Sequence, residues 1–125
     1  MRMLDHLSIQ CADFDAGAAF YDAVLVPVGG KRILDFGRVI GYGTEFPCFW
    51  IGGQTTGGEN REVHIAFTAP TRDAVDEFVR VAEGLSAEVL HPPRVWPEYH
   101  EHYYGGFVRD PDGNNVEAVC HTPAT

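Results

Sequence analysis

The sequence predicts an α+β fold made from one β-α-β-β-β unit used twice. Three observations predict it. Residues 4–9, Leu-Asp-His-Leu-Ser-Ile, and 62–67, Glu-Val-His-Ile-Ala-Phe, each set one His in the middle of a short β-prone run. Each run leads through a short turn into a segment with helical spacing. Each of those segments is followed by three short strand-like runs punctuated by Gly and Pro. A constant shift of 58 residues lays His6 on His64, Asp13 on Thr71 and Phe20 on Phe78.

Taken in order, Asp13 can cap a first helix running to about Leu25, with Ala18, Phe20, Tyr21 and Val24 toward the core. Strand candidates follow at about 31–36, 38–43 and 47–52. The loop Gly52-Gly53-Gln54-Thr55-Thr56-Gly57-Gly58 joins the copies and is too short to separate two domains. In the second copy Thr71 can cap a helix to about Leu85, with Val75, Phe78, Val79 and Ala82 on one face. Its strand candidates are 88–91, 103–109 and 114–121, and 92–102 reads as a long loop. One domain over 1–125 is expected, with modules of about 1–53 and 59–125.

Composition narrows the partners. Hydrophobic residues make up 45% of the 125 residues, enough for a packed core. No apolar run approaches the roughly 20 residues that span a bilayer, and the N-terminus lacks a signal-like apolar stretch, so a cytoplasmic protein is expected. Nine basic against eighteen acidic residues give a net charge of −9, which disfavours nucleic acid and anionic membranes as partners. Cys11, Cys48 and Cys120 are odd in number and widely spaced, and each sits in an apolar setting. Buried inert thiols are expected, not a disulfide framework or zinc knuckle.

Strand alternation gives the candidate chemistry. In the first strand His6 shares a face with Ser8, opposite Leu7 and Ile9. In the fifth, His64 shares a face with Glu62 and Ala66, opposite Val63, Ile65 and Phe67. If the helices cover the apolar faces, both His lie on the helix-free side and a pseudo-twofold brings them together. In the last strand Glu117 sits with Asn115 and Val119, opposite Val116, Ala118 and Cys120. A carboxylate in such a run is costly unless paired or bound to metal. Two imidazoles and one carboxylate suit a divalent ion and leave positions open for substrate.

The stretch Phe107-Val108-Arg109-Asp110-Pro111-Asp112-Gly113-Asn114-Asn115-Val116-Glu117 resembles the C-terminal signature of the vicinal oxygen chelate superfamily, which embraces glyoxalases, bleomycin-resistance proteins and extradiol dioxygenases. Leu4-Asp5-His6-Leu7 and Val63-His64-Ile65 resemble its two His-bearing strands. The resemblance covers essentially the whole chain. It implies a cupped eight-stranded mixed sheet around a divalent metal (Zn, Ni, Mn, Fe or Co) held by His6, His64 and Glu117, commonly in a homodimer. One departure stands out. The glyoxalase I branch draws a fourth ligand from the place where this chain carries Trp50, so the first module brings no carboxylate.

Two functions follow. One is a metal-dependent enzyme that acts as a Lewis acid on a small oxygen-chelating substrate, by lyase, isomerase or dioxygenase chemistry. Glu62 and Tyr104 are its candidate proton-handling residues, and Ser8, Trp50, Arg94 and Tyr99 its candidate substrate contacts. The other is a metal-free binder of small molecules or drugs, which the aromatic wealth of Phe49, Trp50, Trp96, Tyr99 and Tyr104 would suit. The loop from Arg94 to Tyr104 is expected to border the pocket, with Tyr104 the best placed of its tyrosines. The same aromatics could instead cover a sheet edge. His91, His100, His102 and His121 read as structural or solvated.

Overall fold

A computed structural model describes residues 3–54 and 56–124. Met1 and Arg2 at the predicted start, Thr55 of the predicted glycine loop, and Thr125 lie outside the described residues. The element order is β1 (Leu7–Cys11), α1 (Phe14–Val24), a 3-10 turn (Val26–Val28), β2 (Lys31–Asp35), β3 (Val39–Gly43), β4 (Phe49–Gly53), β5 (His64–Thr68), α2 (Arg72–Gly84), β6 (Val89–Val95), β7 (Tyr104–Arg109) and β8 (Asn115–Cys120). The expected β-α-β-β-β repeat is present in both halves.

Both helices start at the expected caps. Asp13 accepts from the Ala16 amide and Thr71 from the Ala74 amide, each at 3.1 Å, and Asp15 and Asp73 complement the positive first turns. The helices end at Leu25 and Leu85, as predicted. Their apolar faces bury Phe14, Phe20, Tyr21 and Val24 in one and Val75, Phe78, Val79 and Ala82 in the other.

The eight strands form two four-stranded sheets, ordered β1-β4-β3-β2 and β5-β8-β7-β6, with one parallel pair in each. Among the described residues of one chain they do not join into one continuous sheet. β1 and β5 are outer strands, and a groove lined by Leu4, Asp5, Leu7, Ile65 and Ala66 runs between them. The modules instead share one apolar core. Tyr21 of α1 packs on Phe49 and Phe67 from opposite sheets, and Phe49 meets Phe67 at 5.1 Å. No helix among the described residues is long and apolar enough to cross a membrane.

Two strand expectations shift. β1 begins at Leu7, because its pairing with β4 begins at Leu7 opposite Phe49, and His6 therefore lies just before the strand. β6 runs on to Val95 through Pro92 and Pro93, where a loop was expected. It is an edge strand, and its register breaks between His91 and Arg94, so the missing proline amides cost no ladder bonds there. The cysteine expectation holds for buried Cys11 and Cys120, while Cys48 is exposed; all three thiols are free.

Candidate functional site

The site is organised by the turn Asp110–Asn114. Gly113 has φ +87°, a left-handed conformation that glycine enters without strain. Buried Asp110 accepts from the amides of Asp112 and Asn114 and from the Asn114 carboxamide, which closes the turn. The Asn114 side-chain oxygen accepts in turn from the Val63 amide at 3.1 Å and from Asn60 at 2.8 Å. One buried side chain thus fixes the entry of β5 against β8. The resulting register sets His64 opposite Asn115 and Ala66 opposite Glu117. His64 and Glu117 become diagonal neighbours on the face away from α2.

Glu117 is only 1% exposed. Its Oε1 lies 2.8 Å from His64 Nε2, and the Tyr103 phenol donates to its Oε2. Burial, reinforced by the Glu117 carboxylate, holds the Tyr103 phenol well above the ordinary tyrosine range, so it stays a donor. Gly105 makes room for this pair: a Cβ there would stand 3.0 Å from Glu117 Oε2. A cavity of about 470 Å³ opens at this point, lined by His64 and Glu117 together with Tyr99, His100, Tyr103, Phe107 and His121.

The other expected site residues fall in different places. His6 does not join His64 and Glu117 within one chain: no group of three or more His, Cys, Asp or Glu able to hold an ion occurs among the described residues. His6 is exposed, and its Nδ1 bonds Asp5 at 2.6 Å. Ser8 pairs with Trp50 on the outer face of the first sheet, the same register relation that Ala66 has to Glu117. Trp50 therefore occupies the first-module counterpart of Glu117, and its ring stacks on exposed Phe36 at 6.2 Å.

Tyr99 lines the cavity; Tyr104 and Arg94 do not. Tyr104 opens β7 opposite Cys120, on the helix side, and its phenol donates to Asp76 of α2 at 2.6 Å. The Arg94 guanidinium sits 3.4 Å from the Trp96 ring centre and bonds Val95 and Glu98. Glu62 is ion-paired with Arg109, which also donates to the Gly113 carbonyl, so Glu62 braces the turn.

Sequence reasoning weighed Tyr99, Tyr103 and Tyr104 and favoured Tyr104 where Tyr103 meets Glu117; it read His100 and His121 as structural or solvated and missed the bracing role of Asn114. Tyr103 was legible in principle. Phe107 and Gly105 alternate onto the Glu117 face, and Tyr103 continues that alternation where Tyr104 cannot. His121 was legible by the same parity, since Glu117, Val119 and His121 alternate onto one face, whereas the His100 ring beside it depends on the path of the 96–103 loop.

The backbone matches solved structures along nearly its whole length. A glyoxalase/bleomycin resistance protein from Albidiferax ferrireducens superposes with a TM-score of 0.85 at 22% identity, covering 95% of this chain and 99% of that one. The fosfomycin resistance protein FosX from Listeria monocytogenes gives 0.70 at 19% identity, over 98% and 95% of the two chains. Lactoylglutathione lyase from Agrobacterium tumefaciens gives 0.66 at 24% identity, over 94% and 92%. At these identities the likeness concerns the fold alone. An uncharacterized protein of Pseudomonas aeruginosa is 33% identical over 128 aligned positions, which span 91% of this chain and 85% of that protein. The family model for the glyoxalase/bleomycin resistance protein/dioxygenase superfamily matches residues 3–118, which carry both modules, the Asp110–Asn114 turn and the His64–Glu117 pair. The chain belongs to that superfamily.

Proposed function

We propose that this protein is a metal-dependent enzyme acting on a small oxygen-chelating substrate, with His64 and Glu117 of one copy and His6 of a second copy as ligands. The observation that carries the reading is the buried His64–Glu117 pair. A carboxylate at 1% exposure with only a partly exposed imidazole and one phenol around it is poorly compensated, and a divalent ion would compensate it. The donor atoms stand 2.8 Å apart, close enough for one ion to take both, and one nitrogen and one oxygen suit Zn, Ni, Mn, Fe or Co. A bound ion would supply Lewis-acid polarisation of two substrate oxygens.

The chain's own residues prepare that chemistry. Tyr103 occupies Glu117 Oε2 and leaves Oε1 toward His64, which favours a single carboxylate oxygen as donor. Asp5 accepts from His6 Nδ1, which leaves the Nε2 lone pair outward. Phe107, Tyr99 and Tyr103 give the cavity aromatic walls.

A homodimer follows from the missing third donor. β1 and β5 are outer strands, and the outer face of the first sheet exposes Leu34 at 41%, Phe36 at 69% and Val39 at 41%. Covering that face with the second copy's site-bearing sheet would bury those side chains and carry His6 across. Asn115 Oδ1, on the His64 side of β8 and without a hydrogen-bond partner among the described residues, fits such a completed face. The reading carries with it a small-molecule substrate and a cytoplasmic setting.

Metal analysis of the purified protein tests it. We expect about one ion per chain, lost in Glu117→Gln and His64→Ala. Protein that stays metal-free after incubation with zinc, nickel, manganese, iron and cobalt would instead favour a metal-free aromatic binder, which the wall of Tyr99, Tyr103 and Phe107 would also serve.

A further inference from the structure

We propose that His121 is a substrate-binding residue, a fixed N–H donor to a carbonyl or carboxylate oxygen, and that His100 is the positioning residue that fixes it. This rests on the reading of the His64–Glu117 cavity as the reaction site.

A backbone amide N–H can only donate. The His102 N–H points at His100 Nδ1, 3.0 Å away, so His100 Nδ1 must carry a lone pair. Neutral His100 then bears its proton on Nε2. That nitrogen lies 2.9 Å from His121 Nδ1, so His100 donates and His121 Nδ1 accepts. Neutral His121 is left with its proton on Nε2. One amide thereby fixes the tautomers of two imidazoles in succession.

The rings are also held in place. His100 and His121 stack at 5.2 Å and 24°, and both pack edge-on against Tyr103, at 5.5 and 5.3 Å. Tyr103 in turn holds Glu117. The loop bearing His100 is tied down by the Tyr103 amide on the His100 carbonyl and the Trp96 amide on the Tyr103 carbonyl. His121 follows β8 directly, four residues after Glu117.

Both His line the cavity that His64 and Glu117 line. Its other walls are Tyr99, Tyr103 and Phe107, and the Tyr103 hydroxyl is already spent on Glu117. The His121 N–H and the Tyr99 hydroxyl are thus the donors this wall can offer a ligand, and of the two only the His121 N–H has its direction preset by a hydrogen-bonded neighbour. The ligand class that uses it has one oxygen on the His64–Glu117 side and a second, carbonyl or carboxylate, reaching His121. A preset donor loses no tautomer population on binding, which is the advantage of the His100 brace.

Two measurements decide. Long-range 1H–15N NMR on metal-free protein at about pH 8 reads the tautomers directly. We expect Nε2–H on both rings, a mixed His121 tautomer in His100→Phe, and recovery of Nε2–H in His100→Gln, whose amide can accept and donate in the same two directions. Wild-type His121 protonated on Nδ1 would overturn the proposal. Calorimetric titration of the zinc-loaded protein with oxalate reads the donor. His121→Phe keeps the ring against Tyr103, and should weaken oxalate about tenfold while zinc affinity stays unchanged. Unchanged oxalate affinity would overturn the proposal as well. Failure of the wild type to take up zinc would sink the metal reading, while the tautomer measurement would still decide this one.

Discussion

At the scale of single residues, the groups that face Glu117 decide what the site can hold. Tyr103 and Tyr104 are adjacent, yet alternation sends one to the site and the other to Asp76 on α2. Burial and Asp76 push the Tyr104 phenol up to about 12, so it too stays protonated, but in the service of the helix. Tyr103→Phe should therefore lower zinc affinity by about 10- to 100-fold, the usual effect of losing a partner behind a metal ligand. Tyr104→Phe should leave zinc affinity unchanged. Competition against a chromophoric chelator measures both, and equal affinities in the two variants would remove Tyr103 from the site. The identity of this tyrosine was available from the parity of Phe107 and Glu117. The same parity of Glu117, Val119 and His121 marked the place of His121, but no local pattern tells where a loop will lay the His100 ring against it.

At the scale of elements, the turn before β8 ties the two modules together. Tyr21 of α1 donates to Asp110 Oδ2 at 2.6 Å, while Asp110 holds the turn that positions β5. Burial, then Asp110, keeps the Tyr21 phenol far above its ordinary range, so this donor is permanent. Tyr21→Phe leaves a buried carboxylate short of one donor and should cost about 1.5–3 kcal/mol in urea unfolding. A loss below about 0.5 kcal/mol would mean that the remaining donors satisfy Asp110.

A second tie joins α1 to β2 and β3. Arg32 donates to both Asp22 oxygens at 2.8 and 2.7 Å, and Tyr42 donates to Asp22 at 2.8 Å. Burial raises the Asp22 carboxyl and is the largest single influence, but the bonds from Arg32 and Tyr42 outweigh it and hold the group below the usual carboxylate range. A carboxylate lowered on folding stabilises above its unfolded value, about pH 4, and that contribution is lost as pH falls through the lower folded value. Asp22→Asn should therefore be less stable at neutral pH and lose less on acidification below about pH 4. Urea midpoints at stepped pH read this, and parallel curves for the two proteins would contradict it.

These elements were legible to different degrees for physical reasons. Helix caps are local, so Asp13 and Thr71 announced both helices. The Glu117 face followed from alternation alone. The start of β1 was misplaced because Leu4, Asp5 and His6 look β-prone but have no partner strand beyond the Leu7–Phe49 pair. β6 was cut short at its prolines, since the sequence does not reveal that the strand is an edge whose register breaks there.

At the scale of the whole molecule, the repeat sets His6 and His64 at matching places of the two modules but does not tell whether they would serve one copy of the chain or two. Two four-stranded sheets share a core through α1, α2, Phe49 and Phe67, with His6 on the outer face of one and His64 and Glu117 on the outer face of the other; completion of these faces by a second copy is the proposal to be tested. The chain's membership of the glyoxalase/bleomycin resistance protein/dioxygenase superfamily is compatible with several reactions, so the ligand set has to be tested in its own right.

The most direct measurement mixes two defective proteins. His6→Ala and Glu117→Gln should each bind no zinc as homodimers. Unfolded together and refolded, they form mixed dimers. In each of these, His6 of the Glu117→Gln chain meets His64 and Glu117 of the His6→Ala chain, and one intact site returns. About a quarter of all sites should then bind zinc, by random pairing. Zinc content that stays at the level of the separate variants, in a mixture shown to contain mixed dimers, would contradict a site shared between two copies.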